Sequence, residues 1–342
     1  HLDLARFRDA RVAGAVTPLE LDRLIAGAPA QARALAETEG YFDAQVSASR
    51  DRAEVPLVRV VVEPGPRALV SSVAFSFEGP LQVAAAAGDD FARRTMAMVE
   101  DRWPLAEGAG FSQSAWSGAK NGTLARLQGA GYALARWRDT SATVDVARHS
   151  VALTLVAESG PLFRIGHVSI EGLTRYEESA ILNLLDFEPG EPYSEDLLAS
   201  WQRHLQRSEL FEAASVTLLV EADHADDATV LVKVKEHRLE QATLGLGYST
   251  DTGPRMTLDH MHRRPFGQDV TVTNRLELGG AKNAWTGQVI SHPLPNHYRN
   301  LVSAGYERLD LNDEFRTSGN VRLGRTQDTD DFARQYFIAV QG

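Results

Sequence analysis

The chain has 342 residues, 43% of them hydrophobic and 24% charged, so it can bury several small cores and does not have the composition of a disordered protein. Its formal net charge of −11 argues against a nucleic-acid partner, because binding phosphates requires a basic surface. It contains no cysteine, which excludes disulfides, thiolate metal sites and cysteine nucleophiles.

The start of the chain carries no recognisable targeting signal. Residues 1–6 lack the charged and apolar regions of a signal peptide. No apolar run reaches the roughly 18 residues of a transmembrane helix. We therefore expect a cytosolic protein, or one whose signal peptide has been removed. The first predicted module also lacks an opening strand, so we expect the sequence to begin inside that module.

A module recurs three times, at a period of about 80 to 95 residues. Its order of signals is strand, helix, helix, strand, strand, which predicts an α+β fold. The first two copies close with Gly65-Pro66 and Gly160-Pro161. We place the modules at residues 1–66 (first strand missing), 67–161 and 162–237. Tandem small domains favour a scaffold or docking arm over an enzyme cleft.

Helix starts are marked by capping signals. Thr17-Pro18-Leu19-Glu20 and Thr174-Arg175-Tyr176-Glu177 both have the pattern of a capping box. Ser194-Glu195-Asp196 predicts the start of a longer helix in the third module. The apolar stripe of that segment consists of Leu197, Leu198, Trp201, Leu205 and Leu210. We interpret these side chains as core.

A strand is expected after the long helix of each module. The predicted strands are Tyr41 to Ala48, Tyr132 to Arg138 and Phe211 to Leu218. Helices packed on one face of a three-stranded sheet leave at least one strand edge without a partner. The sequence therefore predicts an exposed strand edge in each module.

Residues 238–342 have a different sequence pattern, in which strand-length segments follow one another and are separated by turn signals. The segments are 240–249, 255–262, 268–278, 284–292, 298–310, 315–326 and 332–342. Several alternate between apolar and polar residues, as in Leu244, Leu246 and Tyr248 against Thr243 and Gly245. This pattern is typical of transmembrane β-barrel strands, and also of a soluble antiparallel sheet with one solvated face. The length of the strands and the consecutive hairpins favour the barrel. An odd number of strands predicts that the sequence stops partway round it.

Module repeats followed by barrel strands resemble the Omp85 superfamily, in which periplasmic polypeptide-transport-associated (POTRA) domains precede an outer-membrane barrel. Within it, the likeness is strongest to the TamA branch, the outer-membrane subunit of the translocation and assembly module. It rests on three modules and on the segments 163–172, 246–255 and 310–313. The sequence departs from the family at Ser208-Glu209, where glycine often precedes the aromatic residue. The family's Arg-Gly-Tyr or Arg-Gly-Phe loop motif belongs beyond residue 342.

The resemblance implies a bacterial outer-membrane location, with residues 1–237 in the periplasm. It implies that the second strand of each POTRA domain binds partners by strand addition. The corresponding residues are Tyr41, Phe42, Ala44, Val46, Tyr132, Leu134, Phe211 and Val216. It also implies that the first barrel strand forms a lateral gate with the last one. The gate residues are Leu244, Gly245, Leu246, Gly247 and Tyr248.

The partners implied by the resemblance are proteins and lipid. They are a TamB-like protein that is anchored in the inner membrane and spans the periplasm, unfolded outer-membrane or autotransporter clients, and outer-membrane lipid. Three other functions remain open: a two-partner-secretion pore, which usually has two POTRA domains, a central barrel-assembly subunit, which has five, and a soluble multidomain binding protein.

Signals for enzymatic chemistry are weak. Asp259, His260 and His262 have no further ligand nearby in sequence, so we do not predict a metal site there. Residues 117–122 resemble a phosphate-binding loop only superficially and fit a helix better. The acidic clusters at 223–227 and 328–331 are interpreted as solvated turns. We predict no catalytic residue, no metal and no cofactor.

Overall fold

The computed structural model describes residues 17–51, 58–250, 253–311, 314–329 and 333–342. The chain divides into two compact units, His1–Leu162 and Phe163–Gly342. Among the described residues, no helix combines the length and the apolar character needed to cross a membrane.

The described part of the first module contains helix α1 (Pro18–Thr38) and the antiparallel strands β1 (Gln45–Arg50) and β2 (Val58–Glu63). The predicted cap of α1 is confirmed, because the backbone N–H of Glu20 donates to Thr17 Oγ1 at 3.3 Å. Proline at the first helical position leaves no amide unsatisfied there.

The second module has three helices and a three-stranded sheet. Its elements are β3 (Leu69–Glu78), α2 (Pro80–Ala87), α3 (Asp90–Asp101), α4 (Gln113–Gly129), β4 (Arg136–Asp145) and β5 (Ser150–Glu158). The strand order is β3-β5-β4, with β3 parallel and β4 antiparallel to the central β5. Val151, Leu153 and Leu155 of β5 are fully buried and pack against Trp103 and Trp116.

The third module, at the start of the second unit, has the same three-stranded sheet but two helices. Its elements are β6 (Ile165–Glu171), α5 (Ser179–Leu182), α6 (Glu195–Arg207), β7 (Phe211–Leu218) and β8 (Ala228–Glu236). The strand order is β6-β8-β7. The predicted helix after Ser194 is confirmed, and Leu198, Trp201 and Leu205 of its apolar stripe lie in the core.

The start of two predicted strands is wrong. The sequence places Tyr41, Phe42 and Tyr132 inside strands, but these residues lie in turns before β1 and β4. The chain reverses at Gly131, with φ of +104°, and the Tyr132 ring then enters the core. Burying an aromatic ring stabilises by about 2 kcal/mol, more than one added strand pair contributes.

The second predicted capping box is also wrong. No helix begins at Thr174, and α5 starts later, at Ser179. The amides of residues 174–176 donate instead to the carboxylate of Glu236, which lies at the end of β8. This long-range acceptor replaces the local cap.

The described residues between 240 and 341 form an antiparallel meander of seven strands. They are β9 (Glu240–Ser249), β10 (Gly253–His262), β11 (Val270–Gly279), β12 (Lys282–Ser291), β13 (Tyr298–Leu311), β14 (Glu314–Asp328) and β15 (Ala333–Gln341). The sheet does not close, and β9 and β15 are its two edges among the described residues. The predicted class, tandem α+β modules followed by antiparallel strands of an incomplete barrel, is confirmed.

Candidate functional site

The modules present strand edges, as the sequence predicts. In the second module β4 lies at one end of the sheet, and in the third module β7 does. In the first module β1 pairs with β2, and the described residues contain no strand on its other side. Edge strands carry backbone N–H and C=O groups that another extended chain can bind.

The predicted interaction side chains mostly belong to the cores of the modules. Ala44, Tyr132, Phe211 and Val216 are all less than 10% exposed. Phe42 packs against Phe111 of the second module, with ring centroids 6.1 Å apart. The remaining three are Tyr41 and Val46, which are half-buried, and Leu134, which is exposed. What these segments offer to a partner is therefore chiefly backbone, and their role in binding stays a prediction.

The predicted gate strand, β9, is an edge strand of the seven-stranded sheet. Leu244, Leu246 and Tyr248 project from one face and are 63%, 82% and 76% exposed. Gly245 faces the opposite way, where a Cβ would lie 2.6 Å from the hydroxyl of Thr257. Its absent side chain lets β10 approach, and Gly247 lies on the same face. Gating by this strand stays a prediction.

The seven-stranded sheet has one apolar and one polar face. On the apolar face, cross-strand neighbours are Leu244–Leu258, Leu276–Trp285 and Trp285–Tyr306. On the polar face, Lys282 Nζ lies 3.1 Å from Glu307 and 3.7 Å from Glu277. An exposed apolar face of this extent fits contact with a lipid or with another apolar surface.

Arg263 connects the last module to the sheet. Arg263 is 5% exposed. Its guanidinium donates from Nε to the carbonyl of Glu209 and from Nη1 to the carbonyl of Arg238, both at 2.9 Å. Its backbone amide donates to the carbonyl of Leu239 at 2.7 Å. The side chain therefore ties together the end of α6, the segment leading into β9 and the end of β10.

A second layer of polar groups surrounds Arg263. His292 Nε2 donates to the Arg263 carbonyl at 2.7 Å, which fixes the proton on that nitrogen in the neutral ring. Burial lowers the pKa of His292, although this hydrogen bond and the nearby Asp269 act to raise it. The ring also stacks edge-on against Tyr176, with centroids 5.3 Å apart. These contacts hold the turn after β12 against the third module.

Glu236 anchors the segment before α5. One carboxylate oxygen accepts from the amides of Thr174 and Arg175 at 2.8 Å, and the other accepts from the Thr174 hydroxyl at 2.7 Å. Its side chain is 4% exposed. Burial opposes ionisation, but the hydrogen bonds outweigh it, so the pKa of Glu236 lies below its usual value.

Asp186 joins two histidines at the same junction. Its carboxylate lies 2.6 Å from His297 Nε2 and 2.9 Å from His204 Nδ1. His204 lies near the end of α6, and His297 lies in the turn between β12 and β13. Burial opposes ionisation of Asp186, but the hydrogen bond from His297 and both imidazoles lower its pKa.

Sequence reasoning missed these junction residues. Asp186, His204 and His297 come from three segments up to 111 positions apart, and no local spacing relates them. Arg263 and the two carbonyls to which its side chain donates are also distant in sequence, at smaller separations. Arg263 follows a strand and precedes Pro265, which marks a turn but not a buried guanidinium. Only the tertiary fold brings the groups together.

The weak chemical candidates are accounted for by other contacts. His260 Nε2 lies 3.1 Å from Glu240, His262 Nδ1 accepts from the Arg264 amide, and Asp259 pairs with Arg275 at 3.6 Å on the opposite face. Residues 117–122 lie within α4, as their helical interpretation predicts.

A family model described as POTRA, surface antigen variable number repeat, matches residues 163–237. The match covers the third module from the start of β6 to the end of β8. These residues therefore have the POTRA fold, which the strand order β6-β8-β7 with helices on one face also displays.

Solved structures resemble the chain beyond this module. BamA from Haemophilus ducreyi lacking POTRA domains 1–3 aligns with a TM-score of 0.61 at 12% identity, over 80% of this chain and 50% of that one. CdiB from Acinetobacter baumannii aligns with a TM-score of 0.45 at 10% identity, over 81% and 55%. POTRA3–5 of Haemophilus influenzae BamA aligns with a TM-score of 0.39 at 19% identity, over 64% and 80%.

The chain spans half the length of the H. ducreyi BamA structure that it matches. The likeness to that structure concerns the fold: a POTRA module followed by antiparallel strands of a barrel. The predicted fold class is confirmed at this level, and membership of the Omp85 superfamily stays a prediction.

Proposed function

We propose that the protein is an outer-membrane assembly or translocation factor that works without enzymatic chemistry. Residues 1–237 form a periplasmic arm, and residues 238–342 form barrel strands in the outer membrane. The observation that carries this proposal is the junction at Arg263. It fixes a POTRA module with an edge strand directly onto β9, the edge of a sheet with one apolar face.

The physical logic is a path for an extended chain. An edge strand binds unfolded polypeptide through backbone hydrogen bonds, with little demand on its sequence. A second edge, on β9, lies beyond the junction in the same unit and can accept the next strand. An unfolded client in the periplasm would thus pass from the edge strand of the module to the edge of β9 before its own strands pair within the membrane.

The finer proposal is a TamA-type role. Its support is the three tandem modules and the segment 246–255, which resembles the first extracellular hairpin of that branch. The partner would be a TamB-like protein anchored in the inner membrane, and the clients would be autotransporter-type proteins or lipid.

The test is whether the chain accelerates the folding of another barrel protein. The chain is reconstituted into liposomes, a urea-denatured eight-stranded outer-membrane protein is added, and its folding is followed by the heat-dependent shift in gel mobility. We expect faster folding than in liposomes alone. An unchanged rate, with the chain inserted and rich in β-structure, would refute the proposal.

A proline scan of β1 tests the docking edge. In an antiparallel pair, successive residues direct their N–H groups alternately toward and away from the partner strand. Gln45 and Val46 are opposite Glu63 and Val62, so one of the two N–H groups points to the open side. Proline there removes one donor, about 1 kcal/mol, and should reduce client-folding acceleration about fivefold without unfolding the module.

The neighbouring proline is the control, because it should break the β1–β2 ladder and destabilise the module. Val46→Thr changes the side chain but keeps the amide and should leave the rate unchanged. If the proline variant that keeps the fold also keeps the wild-type rate, the β1 edge does not bind clients.

A further inference from the structure

We propose that Asp186, His204 and His297 form a Zn²⁺ site that clamps the third module to the seven-stranded sheet. The three side chains each offer one ligand atom, and these atoms all lie within 4.8 Å of one another. The inference is independent of the proposed function, since it concerns an ion held at the junction and not the handling of a client.

The three ligands are placed by different elements. His204 projects from α6, and Asp186 lies in the turn that follows α5. His297 lies in the turn before β13, with φ of +61°, and the backbone bond from Leu294 N to Tyr298 O at 2.8 Å closes that turn. A left-handed conformation is unusual for a residue other than glycine, and here it directs a histidine toward two groups of another domain.

The donor set selects the metal. Two imidazole nitrogens and one carboxylate oxygen are the ligands of many catalytic and exchangeable zinc sites. Hard cations such as Mg²⁺ and Ca²⁺ prefer oxygen ligands and would leave both imidazoles unused. Both histidines are less than 10% exposed, so they are shielded from competition by bulk water.

The geometry requires only a small adjustment. Ligand atoms about 2.1 Å from a tetrahedral ion lie about 3.4 Å from one another. The two carboxylate–imidazole distances of 2.6 and 2.9 Å are hydrogen bonds, and they would lengthen by about 0.8 and about 0.5 Å when the ion replaces their protons. Rotations of side chains suffice for such a change.

Space for a fourth ligand is present. His204 and His297 line a cavity of about 470 Å³, together with Gln288, Arg207 and Arg299. A zinc ion bound by three protein ligands keeps its fourth position for water or for an added ligand. The arginines in the wall would favour an anion in that position.

The experiment measures zinc binding by the full chain in detergent after treatment with a chelator. Calorimetric titration with Zn²⁺ alone should show that one ion binds per chain. His204→Gln and His297→Gln should each weaken binding by at least about a hundredfold, because even second-shell changes cost 10–100-fold. Cobalt bound to the wild-type chain should give the intense visible absorption of a tetrahedral site.

His167→Gln and His224→Gln are the matched controls. Each of these exposed histidines also pairs with a carboxylate, at 3.0 Å from Asp227 and 3.2 Å from Glu221, but neither belongs to a three-ligand group among the described residues. Both variants should bind zinc as the wild type does. The proposal is overturned if the wild-type chain binds no stoichiometric zinc and gives no tetrahedral cobalt spectrum. It is overturned equally if His204→Gln and His297→Gln bind zinc as tightly as the controls, and Asp186 then serves only as a hydrogen-bond acceptor.

Discussion

Replacing Arg263 with alanine should open the connection between the third module and the sheet. The carbonyls of Glu209 and Arg238 would lose the guanidinium that donates to them. Arg263 itself is only 5% exposed, so little water reaches this site. Buried acceptors left without partners cost about 3 kcal/mol in total. We expect the segment around residues 237–239 to open about a hundredfold more often, since 1.4 kcal/mol corresponds to a factor of ten.

Trypsin measures this opening directly, because it cleaves after Arg238, whose carbonyl Arg263 holds. The rate at which the fragment ending at Arg238 appears should rise about a hundredfold, when opening is fast relative to cleavage. Arg316→Ala, which removes an exposed guanidinium from β14, should have no effect. Equal rates in the two variants would show that Arg263 does not hold the junction.

Replacing Glu236 with alanine should release the segment 174–176 before α5. The side chain accepts from the amides of Thr174 and Arg175 and from the Thr174 hydroxyl, and hydrogen bonds to a charged group are each worth about 1.5 to 3 kcal/mol. We expect a loss of at least about 3 kcal/mol. Hydrogen exchange of these amides in the full chain should accelerate about a hundredfold or more.

The pH dependence separates the charge of Glu236 from its shape. Its folded pKa lies below the ordinary glutamate value of about 4.3, so its stabilisation is present above that value and is lost as the pH falls toward the folded pKa. Glu236→Gln keeps the shape and should show slower exchange than the alanine variant, without this loss in acid. Glu212→Ala removes an exposed carboxylate paired with Lys235 and should change exchange little. Similar exchange in the Glu236 and Glu212 variants would contradict this role.

The sequence predicts the elements that depend on local pattern. Strand β7 begins and ends at the predicted residues, Phe211 and Leu218, because an alternating run is bounded by a helix end and a turn. The seven sheet strands follow from alternation and turn signals in the same way. The cap at Thr17 needs only residues three positions apart.

The sequence does not predict features set by distant groups. The pattern at Thr174 fits a capping box, yet Glu236, 62 positions away, takes its amide. Tyr132 fits a strand by type, yet the turn at Gly131 sends it into the core. Arg263 and the Asp186–His204–His297 cluster depend on contacts between a module and a sheet that no local spacing encodes.

The proposed function requires that the apolar face of the seven-stranded sheet contacts lipid. Trp285 lies on that face, between Leu276 of β11 and Tyr306 of β13, and is 39% exposed. The other four of the five tryptophans, Trp103, Trp116, Trp137 and Trp201, lie in the second and third modules. Tryptophan fluorescence therefore distinguishes the sheet from the arm.

The decisive measurement is quenching of this fluorescence by brominated phosphatidylcholine in vesicles that contain the chain. We expect a quenchable component in the wild-type protein that disappears in Trp285→Phe, with the module tryptophans unaffected. Equal emission in brominated and ordinary vesicles, with the strands formed as judged by circular dichroism, would contradict it and assign residues 240–341 to a sheet outside the membrane.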